Sequence, residues 1–197
     1  MSADTISILN SRVLSDDWGK LTKYDFDLLR RDGNRQRQAR EVYDRGNGAT
    51  CLLHDPVNDT VLLTRQFRLP VYLNGGAAAL VETPAGLLDG AEAAERMRAE
   101  LIEETGYRID RLTHLYDLYM SPGSVTEYLA FFVGTYSASD RMGQGGGKIE
   151  EGEDIEVLHV PFDDALHMIG RGEICDAKTV VLLQHLALTR APKPAQE

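Results

Sequence analysis

The 197-residue chain has 43% hydrophobic and 26% charged residues, the balance of a soluble globular protein of one domain or one domain with an appendage. Its net charge of −10 argues against a non-specific nucleic-acid surface, which needs clustered Lys and Arg. Cys51 and Cys175 lack metal-ligand spacing, no basic-then-apolar leader is seen, and no apolar stretch approaches the ~20 residues of a membrane span, so a reduced, cytoplasmic setting is expected.

In chain order, residues 5–14, 20–30 and 41–44 read as strands. Asp32-Gly33-Asn34 is a hairpin turn signal ahead of a basic, Gln-rich stretch, Arg35-Gln36-Arg37-Gln38-Ala39-Arg40. This first part, residues 1–45, has few large apolar residues and is expected to need a partner surface, which points to a homodimer. Residues 43–48 read as a turn rather than a ligand cradle, because no helix-forming residues follow their glycines. The main domain is expected over residues 46–190. It opens with strands at 50–53 and 60–67 joined by a turn, followed by a helix at 91–105. Asp89 is the expected N-cap of that helix and Gly106 its left-handed C-terminal stop. Strands follow near 112–119, 128–136 and 155–160, with a glycine-rich loop over 137–152. Helices at 162–169 and 177–189 close the domain. Residues 191–197, with two prolines and no apolar pattern, are expected to fray. Mixed strands with a few helices give an α/β layered domain.

The informative stretch is the helix. At about 100° per residue, Glu100, Glu103 and Glu104 share one face, with Glu92 and Arg96 on the same side. Ala94, Met97 and Leu101 form a separate stripe for the core. Like charges at these spacings cost an isolated helix roughly 0.2–0.5 kcal/mol per pair. A solvated acidic face is the ordinary reading of such a pattern. Here, however, the acids crowd the C-terminal half of the helix, where the dipole is negative and anions are least favoured. A hard divalent cation held by carboxylate oxygens explains that placement, and solvation does not.

These residues resemble the Nudix hydrolase signature: a glycine, five residues, a glutamate, then a Glu-aliphatic-x-Glu-Glu-x-Gly run. Gly86, Glu92, Glu100, Leu101, Glu103, Glu104 and Gly106 supply it in order. The chain departs from the signature in a spacer one residue short and in Ala99 where the family has arginine. Arg96 is expected to take over part of that arginine's work, because it faces Glu92 and Glu100.

Further segments are similar to the GDP-mannose hydrolase branch, related to ADP-ribose pyrophosphatases. They include residues 40–50, Arg65-Gln66-Phe67-Arg68, Ala85-Gly86-Leu87-Leu88-Asp89, Tyr119-Met120-Ser121-Pro122-Gly123, Val125-Thr126-Glu127 and residues 153–158. That branch tolerates both departures.

The resemblance implies an α/β/α Nudix sandwich with a mixed β-sheet and an N-terminal antiparallel β appendage. It implies Mg²⁺, with Mn²⁺ as the alternative, held by Glu100, Glu104, the carbonyl of Ala85 and a glycine-loop acid. That acid is Glu153, with Glu150 and Glu151 as competitors. Glu103 would serve a second ion or its waters, and the base is left open among Glu153, Glu103 and Glu127. Substrate contacts are implied for Trp18, Arg40, Glu41, Arg68, Gly86, Leu87, Glu127 and Lys178. Those in the appendage would reach across a homodimer. The expected reaction is GDP-mannose plus water to GMP and mannose 1-phosphate. The rivals are ADP-ribose cleavage to AMP and ribose 5-phosphate, or a module that binds nucleotide without cutting it. The five histidines share no spacing, so zinc is not expected.

Overall fold

The computed structural model describes residues 5–190, so the expected frayed tail at 191–197 lies outside the described residues. The chain divides into two compact units, Met1–Asn47 with Tyr119–Tyr128, and Gly48–Leu118 with Leu129–Glu197.

The smaller unit is an antiparallel sheet of β1 (Ile6–Asp16), β2 (Lys20–Leu29) and β3 (Arg35–Asp44), in that order. The Asp32-Gly33-Asn34 turn forms as expected. Gly33 takes a left-handed φ of 83°, its N–H reaches the Arg30 carbonyl, and the Arg30 N–H reaches the Asn34 carbonyl. The third strand begins at Arg35 rather than at the expected residue 41, so the basic stretch Arg35–Arg40 is part of β3. Cross-strand charge pairing overrides its poor strand propensity. Arg37 binds both oxygens of Asp27, and Lys23 stands opposite Glu41. Tyr43 exchanges backbone hydrogen bonds with Ser124 and Thr126, tying the returning segment to β3.

The larger unit is a mixed sheet of β4 (Gly48–Asp55), β5 (Thr60–Phe67), β6 (Ala79–Glu82), β7 (Ala85–Leu87), β8 (Thr113–Tyr119), β9 (Tyr128–Thr135) and β10 (Glu156–Pro161). The order is β10-β5-β4-β9-β8, with β6 beside β5 and β7 beside β4. β4 and β9 are parallel, whereas β4–β5, β5–β6, β4–β7 and β5–β10 are antiparallel. The helices are α1 (Leu69–Leu73), α2 (Ala93–Glu100), α3 (Phe162–Gly170) and α4 (Ala177–Thr189).

β4 is buried almost throughout, as a strand covered on both faces should be. Ala49, Cys51 and Leu53 pack with Met97 and Leu101 from the helix at 93–105. Leu52 points the other way, toward α4. This is the expected layered sandwich.

The acidic helix differs from its expected form in two ways. It starts at Ala93, with Glu92 as N-cap accepting from the Glu95 N–H. Asp89 is not the cap, because Asp89 and Gly90 both turn left-handed (φ 49° and 80°) and hold the chain in a loop for three residues more. The helix then widens into a π-helical turn over Leu101–Thr105, where the Thr105 hydroxyl donates to the Leu101 carbonyl at 2.5 Å. Such turns recur at functional sites.

Gly106 ends it at φ 78°, as expected, and a Cβ there would come within 2.5 Å of the Gly143 carbonyl oxygen. Gly106→Ala therefore lowers the unfolding free energy by about 1–3 kcal/mol, read by urea denaturation. Wild-type stability in this variant would mean that neither the backbone nor the loop above it is constrained there.

Candidate active site

Glu100 closes α2 and Glu104 lies in the π-helical turn. Both are buried, at 7% and 2% exposure, while Glu103 is half-buried. β7 packs against their side chains. The Ala85 N–H donates to Glu104 Oε2 at 3.2 Å, and a Cβ on Gly86 would overlap the Glu100 carboxylate. Only glycine lets the backbone pass that close. Arg96 Nη2 pairs with Glu100 Oε1 at 2.5 Å and its Nε donates to the Leu87 carbonyl at 3.0 Å. The expected contact of Arg96 with Glu92 is replaced by Glu92's role as helix cap.

The glycine-rich loop straps the end of this helix. Gly146 and Gly147 donate N–H groups to the carbonyls of Glu104 and Glu103, and Met142 and Gly143 to that of Gly106. These are carbonyls that a helix end leaves unsatisfied. Gly145, Gly146 and Gly147 all have positive φ. A side chain on Gly145 would strike the Glu104 backbone, and one on Gly147 would strike Glu153. The strap brings in Glu153, whose Oε2 accepts the Lys148 N–H at 2.8 Å. Lys148 Nζ pairs with Glu103 at 2.8 Å and Glu151 at 3.2 Å. Of the three loop acids, Glu153 adds its charge to both Glu100 and Glu104, whereas Glu150 and Glu151 are exposed.

Electrostatics in this cluster is unfavourable to ionisation. Burial, then the charges of Glu100, Glu82 and Glu153, push the Glu104 carboxyl well above its ordinary value, with the Ala85 N–H opposing. Burial also raises Glu100; Arg96 and Lys148 oppose this, and Glu103 and Glu153 add to it. Among the described residues Glu104 has no ion-pair partner, and no three acids already close into a metal shell. The donors are hard oxygens, desolvated and under-neutralised, and this donor chemistry fits a hard divalent cation.

A residue absent from the sequence expectations completes the constellation. Glu82, at the end of β6, is 1% exposed and accepts from Arg68 Nε (2.7 Å) and Lys178 Nζ (2.5 Å). Lys178 also pairs with Asp176 at 3.0 Å, and Asp176 caps α4. Arg68 is partly desolvated, but Glu82, Glu104 and Asp176 outweigh that and raise its pKa. The one sequence cue to Glu82 is its place as an acid within the apolar run Ala79-Leu80-Val81-Glu82.

The larger unit thus brings together Ala85, Gly86, Leu87, Glu100, Glu103, Glu104, Glu153, Arg68 and Lys178. Trp18, Arg40, Glu41 and Glu127 belong to the smaller unit. Trp18 is 71% exposed, with the Arg45 guanidinium 4.1 Å from its ring centre. Arg40 bonds the Ala39 carbonyl and Gln38, and Glu41 lies exposed opposite Lys23. His54, His114, His159 and His185 pair with Asp59, Asp117, Tyr136 and Tyr116, in no common cluster.

Comparison with known proteins finds the GDP-mannose pyrophosphatase NudK N-terminal domain over residues 5–43 and a NUDIX domain over residues 44–183. A GDP-mannose pyrophosphatase of Pectobacterium atrosepticum is 52% identical, over 91% of this chain and 93% of that protein. Proteins of the same name from Escherichia coli and Shigella dysenteriae are 50% and 49% identical, each over 93% of this chain and 96% of theirs. No helix among the described residues is long and apolar enough to cross a membrane.

The raised carboxyl of Glu104 sets a pH dependence. A carboxyl whose folded pKa lies above its unfolded one binds its proton more tightly when folded. Its stabilising contribution is therefore present below the ordinary value of 4.5 and is lost as pH rises through the folded pKa. Cation-free protein loses stability across that interval in urea melts, and Glu104→Gln flattens the loss. An equal slope in wild type and variant would contradict the assignment.

Proposed function

The chain belongs to the NUDIX domain family, and on that premise we propose that it hydrolyses the pyrophosphate bond of a nucleotide sugar, GDP-mannose, to GMP and mannose 1-phosphate. The observation that carries the reading is the buried, under-neutralised pair Glu100 and Glu104, set against β7 and faced by Glu153. The printed names of relatives about half identical over nearly the whole chain supply the substrate.

Nudix hydrolases need a divalent metal, and we take it here to be Mg²⁺, held by Glu100, Glu104, Glu153 and the Ala85 carbonyl. Bound there, it supplies neutralisation of pyrophosphate charge and a lowered pKa for water. The charge that the phosphate oxygens carry is met by N–H groups of Arg68 and Lys178. One carboxylate takes a proton from the attacking water. Glu153 and Glu103 are candidates within the larger unit, and Glu127 is a third. Glu103 already shares its charge with Lys148, and Glu153 would share its own with the metal.

Residues 46–190 are taken as the hydrolase domain and 1–45 as a dimer-forming appendage. The exposed apolar side chains of β1, Ile6, Ile8, Leu9, Val13 and Leu14, support a homodimer, because an open edge strand with such side chains favours pairing with another chain. Within the dimer Trp18, Arg40 and Glu41 would serve the nucleotide. The free thiols of Cys51 and Cys175 suit a cytoplasmic setting.

Incubation with Mg²⁺ and a panel of GDP-mannose, GDP-glucose and ADP-ribose, resolved by chromatography, yields GMP and mannose 1-phosphate. Glu100→Gln and Glu104→Gln each lower the rate at least about a hundred-fold. AMP from ADP-ribose as the main product would move the substrate to the rival branch, and tight binding without turnover would favour a sensor. In the same assay Arg96→Ala loses more activity than Arg98→Ala, because Arg96 grips Glu100 where the family's arginine is missing. Equal losses would remove that role.

A further inference from the structure

Glu82 has no place in the cleavage scheme, yet it is among the most deeply buried charged residues of the described chain. A carboxylate out of water persists only when paired and hydrogen-bonded. Its two oxygens are divided between two cations. Arg68 arrives from the segment after β5 and Lys178 from the first turn of α4, 14 and 96 residues away in sequence.

The way each cation is held leaves donors to spare. A guanidinium has five N–H donors and an ammonium has three. Arg68 gives Glu82 its Nε and keeps its terminal Nη1 and Nη2 groups, on a side chain 38% exposed. Lys178 donates one N–H to Glu82 and pairs by charge with Asp176, which leaves it donor capacity. The terminal fork of an arginine is the arrangement that binds two phosphate oxygens at once.

The backbone beyond Glu82 is fixed as well. The Thr83 N–H donates to the Thr179 hydroxyl at 2.7 Å, and the Thr83 and Thr50 hydroxyls bond at 2.9 Å. Two residues on, the Ala85 N–H reaches Glu104. One short run, Glu82 to Ala85, therefore sets both cations and the deepest acid of the cluster.

We propose that Glu82 is a positioning residue: it holds Arg68 and Lys178 as a fixed pair whose remaining N–H groups receive phosphate oxygens, without touching substrate itself. The inference rests on the reading that this site takes a pyrophosphate. The opposing view is that the Glu82 pairs serve folding alone.

Steady-state kinetics with Mg²⁺ and the panel compound that wild type cleaves best separates the two. Glu82→Gln raises KM about ten-fold with kcat within about three-fold, because loosely held cations bind ground and transition states less well alike. Added to an Arg68→Ala/Lys178→Met background, the same change moves KM by less than about two-fold, since the residues it acts through are gone. An unchanged KM in Glu82→Gln, or a full ten-fold rise in that background, overturns the proposal. Should Glu82→Gln fail to fold, Glu82→Asp keeps the charge but withdraws it by one methylene. It is expected to raise KM about three-fold with the same loss of effect in the background, and an unchanged KM again overturns the proposal. Wild-type cleavage of a compound other than GDP-mannose would change the substrate and leave this comparison standing. Cleavage of none would overturn both.

Discussion

Glu104 is held out of water beside Glu100, at the carbonyl end of a helix, with a single backbone N–H for a hydrogen-bond partner among the described residues. Desolvation, a like-charged neighbour and the negative end of the helix dipole all oppose its ionisation. An arrangement of charge this unfavourable persists only when surrounding structure over-determines it. The surroundings do so. Gly86 gives up its side chain to make room for Glu100, and Gly145 and Gly147 let the strap lie against the helix end and seat Glu153. The π-helical turn places Glu104 inward while Ile102, two residues before it, stays 42% exposed.

Two kinds of cation surround the acids. Arg96 and Lys148 are partly exposed and contact the acids themselves, so they moderate the charge of Glu100 and Glu103 in the absence of a metal. Arg68 and Lys178 are tied to Glu82 on the neighbouring strand and keep donors free. The first pair lowers the cost of assembling the carboxylates. The second gives a phosphate something to meet. A site that joins a hard-cation cluster to preset cationic donors is suited to a charged diphosphate, where most of the catalytic work is positioning and charge stabilisation.

Much of this was legible in the sequence, for identifiable reasons. Glu100, Glu103 and Glu104 stood out because their spacing is helical and their position on the helix is wrong for solvation. Gly106 was readable because a helix that ends in a left-handed residue favours glycine. The apolar runs of β4, β5 and β9 and the extent of α4 were readable for similarly local reasons. What escaped depends on contacts distant in sequence. Arg35–Arg40 lay outside the expected third strand because its strand character comes from Asp27 and the rest of β2 across the sheet. Asp89 looked like a cap because nothing local marks the left-handed pair Asp89-Gly90. The strands β6 and β7 are short, and Glu82 takes its meaning from Arg68 and Lys178, which no pattern in its own segment announces.

The central claim is that burial and the neighbouring acids hold the Glu104 carboxyl above its ordinary value, so that a bound cation draws its proton off. Calorimetric titration of Mg²⁺ into the cation-free protein, at pH values stepped upward from the ordinary carboxyl value of 4.5 and in two buffers of different ionisation enthalpy at each, measures this directly, because ligand carboxylates shed protons as metal binds. The account predicts that the apparent binding heats differ between the buffers in proportion to their ionisation enthalpies, which is net proton release. Identical heats in the two buffers at every pH, with Mg²⁺ bound, would show that Glu104 sheds no proton on binding and would contradict it.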